Sequence, residues 1–262
     1  MWLDLSALPS ALNTEVIGRR VIYMTSTGST MDVARHEANA GAAEGTVVIA
    51  EEQAAGRGRF GRSWVSPAGK NIYITLILRP HALALRSLSI VAPLAVCRAL
   101  ETATGLAPRI KWPNDVLLNG RKLAGILIEN DFSGAEPKFS LVGIGLNVNF
   151  DIPADAEIGG IATSIKAELG HEVSRIEVLA ALLNHFEDLL QQAASGAAVL
   201  LAWKEHLETL GRRVTVTFRG QSYQGLAEDV DDHGNLLLRR DDGSVLPVEA
   251  GEVTLRSTDA GS

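Results

Sequence analysis

The sequence predicts an α+β protein in two parts, a mixed strand-and-helix domain over residues 1–210 and a small barrel of short strands over residues 211–262. Two observations predict this division. Up to about residue 210, runs rich in β-branched residues alternate with stretches whose apolar positions recur at helical spacing. From Gly211 the period changes to short alternating segments, VTVTF, SYQGLAEDV, NLLLRR, VLPVE and VTLR. Turns at Arg219-Gly220, Asp232-His233-Gly234 and Asp241-Asp242-Gly243 separate them, which is the pattern of a small closed or nearly closed barrel.

Each element follows in chain order. VIYMT at 21–25 reads as a strand and TSTGST as the turn after it. Ser29 with Asp32 makes a capping box for a helix running to about Asn39. Gly41 and Gly45 end that helix, and TVVIAEE at 46–52 is a second strand. NIYITLIL at 71–78 is a third. Residues 87–104 are helical, with Pro93 marking a kink or a delayed start. RIKW at 109–112 is a short strand. DVLLNGRKLAGILIE then places Asn119-Gly120 between two apolar runs, the chemistry of a two-residue type I′ hairpin. FSLVGIGLNVN at 139–149 closes the strand set. Three helices follow, ATSIKAELG, SRIEVLAALLNHFEDLLQQ and GAAVLLAWKEHLETL. In the middle one Ile176, Leu179, Leu183, Phe186 and Leu190 share a face. The last residues, STDAGS, read as a frayed tail.

Composition narrows the class. At 262 residues, 46% hydrophobic and 21% charged, the chain matches ordinary soluble domains and can bury a core without staples. Its one cysteine, Cys97, lies in the apolar run IVAPLAVC and reads as a buried inert thiol, which fits a reducing cytoplasm. MWLDLSALPSALNTEV lacks the basic start of a secretory signal, and no apolar run approaches the ~20 residues of a membrane span. The histidines at 36, 81, 171, 185, 206 and 233 have no metal-ligand spacing. A net charge of −7 argues against nucleic acid as the principal partner.

Against that acidic background AAGRGRFGRSW, residues 54–64, concentrates Arg57, Arg59 and Arg62 among Gly56, Gly58 and Gly61. The glycines spell G-x-G-x-x-G, but a dinucleotide-binding turn needs a following helix and an acidic residue about 20 positions on. Here SWVSPAGK and another strand follow, and no acidic residue lies between Glu52 and Glu101. The fingerprint fails its context. Glycine lets backbone N–H groups approach a ligand, and arginine offers a planar fork to phosphate or carboxylate. The loop reads as an anion-binding lid.

Read together, STMD at 29–32, GRGRFGR, KWPND at 111–115, RKLAGIL at 121–127 and GIGLNVN at 143–149 resemble the biotin protein ligases in order and spacing, over most of the chain. The resemblance implies a two-step enzyme. Biotin and ATP give biotinyl-5′-AMP and pyrophosphate, and the biotinyl group then passes to a lysine of a biotin carboxyl carrier protein. It also implies a catalytic domain similar to class II aminoacyl-tRNA synthetases over 1–210 and an SH3-like barrel over 211–262. Carboxylate attack on the α-phosphorus brings anions together, so preorganised cations are the main need. By this resemblance Lys122, Arg57 and Arg59 are the catalytic candidates. Ser29, Thr30, Gln53, Gly56, Arg57, Gly58, Arg59, Lys122 and Gly143 would bind biotin, with Gly145 beside Gly143 letting a flat bicycle lie on backbone. Arg59, Arg62, Trp64, Lys111, Asn114, Asp115 and Asn147 would face ATP. Mg²⁺ would arrive on the ATP phosphates near Asp115, without a dedicated protein metal site, although Asp115 also reads as a structural turn acid. Residues 150–162 are placed as a second covering loop.

Met31 stands where some members of that family have Asn, which removes one polar contact. Only about 20 residues precede the first strand, too few for a helix-turn-helix. No membrane or nucleic-acid partner is expected, and an edge strand leaves a homodimer open. Two alternatives stand beside the ligase reading. One is a lipoate–protein ligase of the same fold, and the other is a non-catalytic nucleic-acid-binding module using the arginine loop.

Overall fold

In the computed structural model the described residues are 2–80, 85–153, 158–193, 198–218 and 220–255. Its centre is a seven-stranded mixed sheet, built from β1 (Val21–Met24), β2 (Thr46–Ala50), β3 (Ile72–Leu78), β4 (Arg109–Lys111), β5 (Asp115–Leu118), β6 (Arg121–Ser133) and β7 (Glu136–Leu146). The order across the sheet is β1-β2-β3-β7-β6-β5-β4. Only β1 and β2 run parallel; the other neighbours pair antiparallel.

Alternation along these strands sends side chains to opposite faces. One face presents Val47, Ile49, Ile72, Ile74, Leu76, Val142, Ile144 and Leu146 to a core shared with α3 (Leu88–Thr104) and α5 (Arg175–Ala193). The other presents Val48, Ile77, Phe139 and Leu141 to Met31, Ala34 and Ala38 of α2 (Thr30–Asn39). Each such fully buried aliphatic or aromatic side chain contributes on the order of 2 kcal/mol. Ser29 caps α2, its Oγ accepting from the Met31 N–H, and Asp32 lies in the first turn. Asn119 and Gly120 both take positive φ, 51° and 75°, as the hairpin chemistry requires. Cys97 is buried in α3, and that burial pushes its thiol up from the ordinary range.

Several sequence expectations change. α3 runs through Pro93 without starting there. The β6–β7 hairpin is longer than the apolar pattern suggested, extending to Ser133 and Glu136 around Gly134. Of the two shorter helices expected after β7, α4 covers Ile165–Leu169 and α6 covers Ala198–His206. An unanticipated 3-10 turn and short helix α1 (Leu8–Ala11) stand at the N-terminus, capped by Asp4 and held by burial of Leu3, Leu8 and Leu12.

The last segment forms a five-stranded antiparallel sheet in the order β11-β10-β9-β8-β12. Its strands are β8 (Arg213–Phe218), β9 (Gln221–Val230), β10 (Leu236–Arg239), β11 (Val245–Val248) and β12 (Glu252–Leu255). This sheet meets the larger domain at named contacts. Trp112 Nε1 donates to the Gly234 carbonyl at 2.9 Å, and Arg59 Nη1 lies 3.4 Å from the Gly251 carbonyl. His81, Arg219, part of the 150–162 covering loop and the STDAGS tail lie outside the described residues.

Candidate active site

The site lies on the α2 face of the large sheet, where β6 and β7 exchange side chains for glycine. Gly125 and Gly145 are register partners, and Gly143 lies opposite Leu127. These positions leave a floor of backbone. A Cβ on Gly145 would fall 2.5 Å from the Trp64 ring, one on Gly125 2.9 Å from it, and one on Gly143 2.7 Å from the Met31 sulfur. Under 3.0 Å something must shift, so a side chain at these positions would displace the Trp64 ring or the Met31 thioether. The Trp64 indole lies on this floor, and its Nε1–H is a buried donor with no acceptor among the described residues.

One wall is neutral and polar. Thr30 offers both its backbone N–H (2.9 Å) and its hydroxyl (3.1 Å) to Gln53 Oε1. Thr75 Oγ1 donates to Thr30 Oγ1 at 2.9 Å, and Gln53 Nε2 donates to Ser66 at 3.0 Å. Ser29, Thr30 and Thr75 are all buried, so these bonds are made away from bulk water. Met31 does not join that ladder. It packs into the apolar cluster under α2, with its sulfur toward Gly143.

Three cations line the same cleft. Lys122 Nζ is 2.7 Å from the Asp115 carboxylate and 5.4 Å from the Trp64 ring centre. Arg57 pairs with Asp32 at 2.8 Å and Glu129 at 3.7 Å. Arg59 donates to Asn114 Oδ1 at 2.7 Å, and its guanidinium stacks over Phe60 at 4.8 Å. Burial lowers the Arg59 guanidinium from its ordinary range, against the opposing pull of Asp115 and Glu252.

The glycine–arginine loop is a narrow hairpin. Gly58 N–H donates to the Arg62 carbonyl (2.7 Å) and Trp64 N–H to the Gly56 carbonyl (2.8 Å), closing it around the 3-10 turn Arg59–Gly61. Phe60 at its tip takes φ 58°, an uncommon value for a bulky residue. The hairpin lays Arg57, Gly58, Arg59 and Trp64 along the cleft. Beyond the Arg59–Asn114 bond a second cavity of about 190 Å³ opens, bounded by Ser89, Pro93, Pro113 and Glu249. Arg59 and Asn114 border both spaces.

Of the residues expected from sequence, Ser29, Thr30, Gln53, Arg57, Gly58, Arg59, Trp64, Asn114, Lys122 and Gly143 line one cleft. Asp115 reaches it through Lys122. Four others stand elsewhere. Gly56 is a glycine because a Cβ would fall 2.5 Å from the Trp64 carbonyl, inside the hairpin. Arg62 turns to the C-terminal sheet and holds both Glu252 oxygens at 2.6 Å. Lys111 is the β4 register partner of Asp115, off the cleft. Asn147 is buried, with both ends of its amide used inside the protein. Sequence reasoning missed Gly125 and the apolar lining from Ile74, Ile126, Leu127 and Ile144. An isolated glycine inside the KLAGILIE strand was the available signal for the first.

The cleft of this mixed α+β domain thus combines a glycine floor, neutral polar groups and three cations. Residues 23–149 match the biotin/lipoate A/B protein ligase family, and residues 209–256 match the biotin protein ligase C terminal domain. The chain belongs to the biotin protein ligase family. It is 44% identical over 200 residues to a biotin–[acetyl-CoA-carboxylase] ligase of Paracoccus denitrificans, covering 73% of this chain and 83% of that one. It is 35% identical over 258 residues to the ligase of the same name from Mycobacterium tuberculosis, covering 93% of each. The biotin protein ligase of Aquifex aeolicus, solved with biotin and ATP, superposes with a TM-score of 0.78 at 28% identity, covering 92% of this chain and 100% of that one.

Proposed function

We infer that the chain is an ATP-dependent biotin–protein ligase, which forms biotinyl-5′-AMP and transfers the biotinyl group to a lysine of a biotin carboxyl carrier domain. The observation that carries this is that Arg57, Arg59 and Lys122 line one cleft together with Ser29, Thr30, Gln53 and the glycines of β6 and β7. A neutral ureido ring suits the wall, and a carboxylate and phosphate suit the cations.

In the first step a biotin carboxylate oxygen attacks the α-phosphorus of ATP, a P–O bond forms, and pyrophosphate leaves with the electrons of the broken one. Lys122 neutralises the two anions as they meet, and Asp115 holds its ammonium over the floor at 2.7 Å. Arg59, tied to Asn114, faces the phosphate side. In the second step the carrier lysine amine attacks the acyl carbonyl, an amide forms, AMP leaves, and one proton is released. Trp64 and the loop hairpin shield the mixed anhydride from water until then.

Among the described residues no group of three or more His, Cys, Asp or Glu side chains could hold a metal. Asp115 is already paired with Lys122 and Asn114 Oδ1 with Arg59, so a Mg²⁺ ion would take its ligands mainly from phosphate and water. Such an ion would supply charge neutralisation on the phosphates when bound.

Finer readings accompany this. The 1–210 domain is read as class II synthetase-like, and the five-stranded sheet of 211–262 as an SH3-like barrel, which its strand count and antiparallel order support. A cytoplasmic site of action is supported by the free thiol of Cys97. Among the described residues no helix is long and apolar enough to cross a membrane. The net charge of −7 supports a protein partner over nucleic acid.

The test is incubation of purified protein with ATP, Mg²⁺, a carrier domain and either labelled biotin or labelled lipoate. Label on the carrier lysine from biotin is the expected result. Label from lipoate alone, or from neither, overturns the assignment.

A further inference from the structure

The backbone that carries Lys122 is held from both sides by one segment. Lys122 N–H donates to the Ile161 carbonyl at 2.8 Å, and its carbonyl accepts from Thr163 N–H at 2.9 Å. The next carbonyl, that of Leu123, accepts from Asn147 N–H at 3.0 Å. The Asn147 side chain then ties the two supports together, its Nδ2 donating to the Thr163 carbonyl at 3.0 Å.

Asn147 is itself hung on Asn71. The Asn71 amide, fully buried, donates to Asn147 Oδ1 at 3.3 Å and to the Tyr73 hydroxyl at 3.0 Å. Its Oδ1 accepts the Val148 N–H at 2.9 Å. The Asn71 carbonyl accepts from Arg175 at 2.9 Å, and the same Arg175 nitrogen lies 2.8 Å from the Glu51 carboxylate. Glu51 and Arg175 are both buried, and Glu51 also accepts the Tyr23 hydroxyl at 2.8 Å. A buried ion pair is costly to break, so it makes a rigid anchor.

We propose that Asn71, which lines neither of the two cavities described above, is a positioning residue for adenylation. It fixes Asn147, and through Asn147 the 161–163 segment, so that Lys122 stands where the anions meet. This rests on the ligase reading of the site. It also assigns Asn147 a task its internal hydrogen bonds perform: both ends of its amide are spent on protein partners.

The test uses the full chain and four variants, Asn71→Ala, Asn71→Asp, Asn147→Ala and Asn71→Ala with Asn147→Ala. Asn71→Asp keeps an oxygen for the Val148 N–H, loses the Nδ2 donor and adds a buried carboxyl, so the melting temperature of each variant is read alongside the rate to separate positioning from collapse of the fold. At saturating biotin and ATP, adenylate formation is expected to fall about 10-fold or more in both Asn71 variants, as for a misplaced catalytic group. Biotin Kd is expected to stay within about twofold, because the polar wall is untouched. The double variant is expected to be no slower than the slower of Asn71→Ala and Asn147→Ala alone, since residues in one network do not act additively. A wild-type rate in Asn71→Asp overturns the proposal. So does a parallel loss of biotin affinity, or a double variant that loses the product of the single factors. A wild-type chain that makes no adenylate overturns the ligase reading and this inference with it.

Discussion

The Lys122 ammonium reaches Asp115 at 2.7 Å by crossing Gly125. Gly125 is the register partner of Asp115, and a Cβ there would fall 3.2 Å from Lys122 Cε. The register shift between Val116 and Leu117 brings Lys122 opposite Leu117, on the same face as Asp115. The hairpin irregularity and the glycine together aim the lysine over the cleft.

Lys122→Ala removes the charge that meets both reacting anions. Pyrophosphate release in the presence of biotin is expected to fall by about 100-fold or more, on the scale of losing a preorganised electrostatic donor. Release near the wild-type rate would show that another cation carries the step.

Gly125→Ala puts a methyl into the Lys122 stem and 2.9 Å from the Trp64 ring. The fold is expected to survive, because the methyl meets side chains and not backbone, while the Trp64 ring and Lys122 are pushed aside and adenylation and biotin binding both weaken. A calorimetric titration with biotin checks this, and unchanged affinity would mean that the floor does not receive the ligand.

Arg59 and Asn114 separate the main cleft from the cavity beyond it. Arg59→Gly opens that partition and removes a phosphate anchor. Free biotinyl-5′-AMP is expected to accumulate in solution, seen by chromatography of the filtrate. Retention equal to that of the wild type would refute the assignment.

Tyr23 tests the buried anchor. Burial, and then its hydrogen bond to the Glu51 carboxylate, push its hydroxyl up to about 12. A free tyrosine ionises near ~10. The folded state favours the neutral form, so this contribution to stability is complete below ~10 and is lost as pH rises through about 12. Ultraviolet titration is expected to lose a step near 12 in Tyr23→Phe, with loss of about 1 kcal/mol for the hydrogen bond. A Tyr23 step near ~10 in the folded protein would contradict it.

The sequence by itself determined the secondary elements with strong local signals. Helix α5, the Asn119-Gly120 turn, the Ser29 cap and the change of period at Gly211 are each set by spacing or by turn chemistry within a few residues. Glycine and arginine in one loop have few purely structural uses, which singled out Arg57 and Arg59, whereas Ser29, Thr30, Gln53, Asn114, Lys122 and Gly143 were expected from motifs that resemble a family, and all of these line the cleft. Tertiary structure decided the rest. Whether an arginine faces a cleft or a neighbouring sheet is a matter of which carboxylate lies within reach. Arg57 and Arg59 line the cleft, while Arg62 closes on Glu252, far away in sequence. Asn147 looks like a ligand contact from its motif, and becomes an internal tie once Asn71 and Thr163 are placed beside it. The N-terminal turn over Leu5–Ala11 has no periodicity to announce it, and forms because Leu8 finds a core to enter. Local chemistry specifies the elements, and long-range pairing of buried polar groups, which no short window contains, decides where each side chain is aimed.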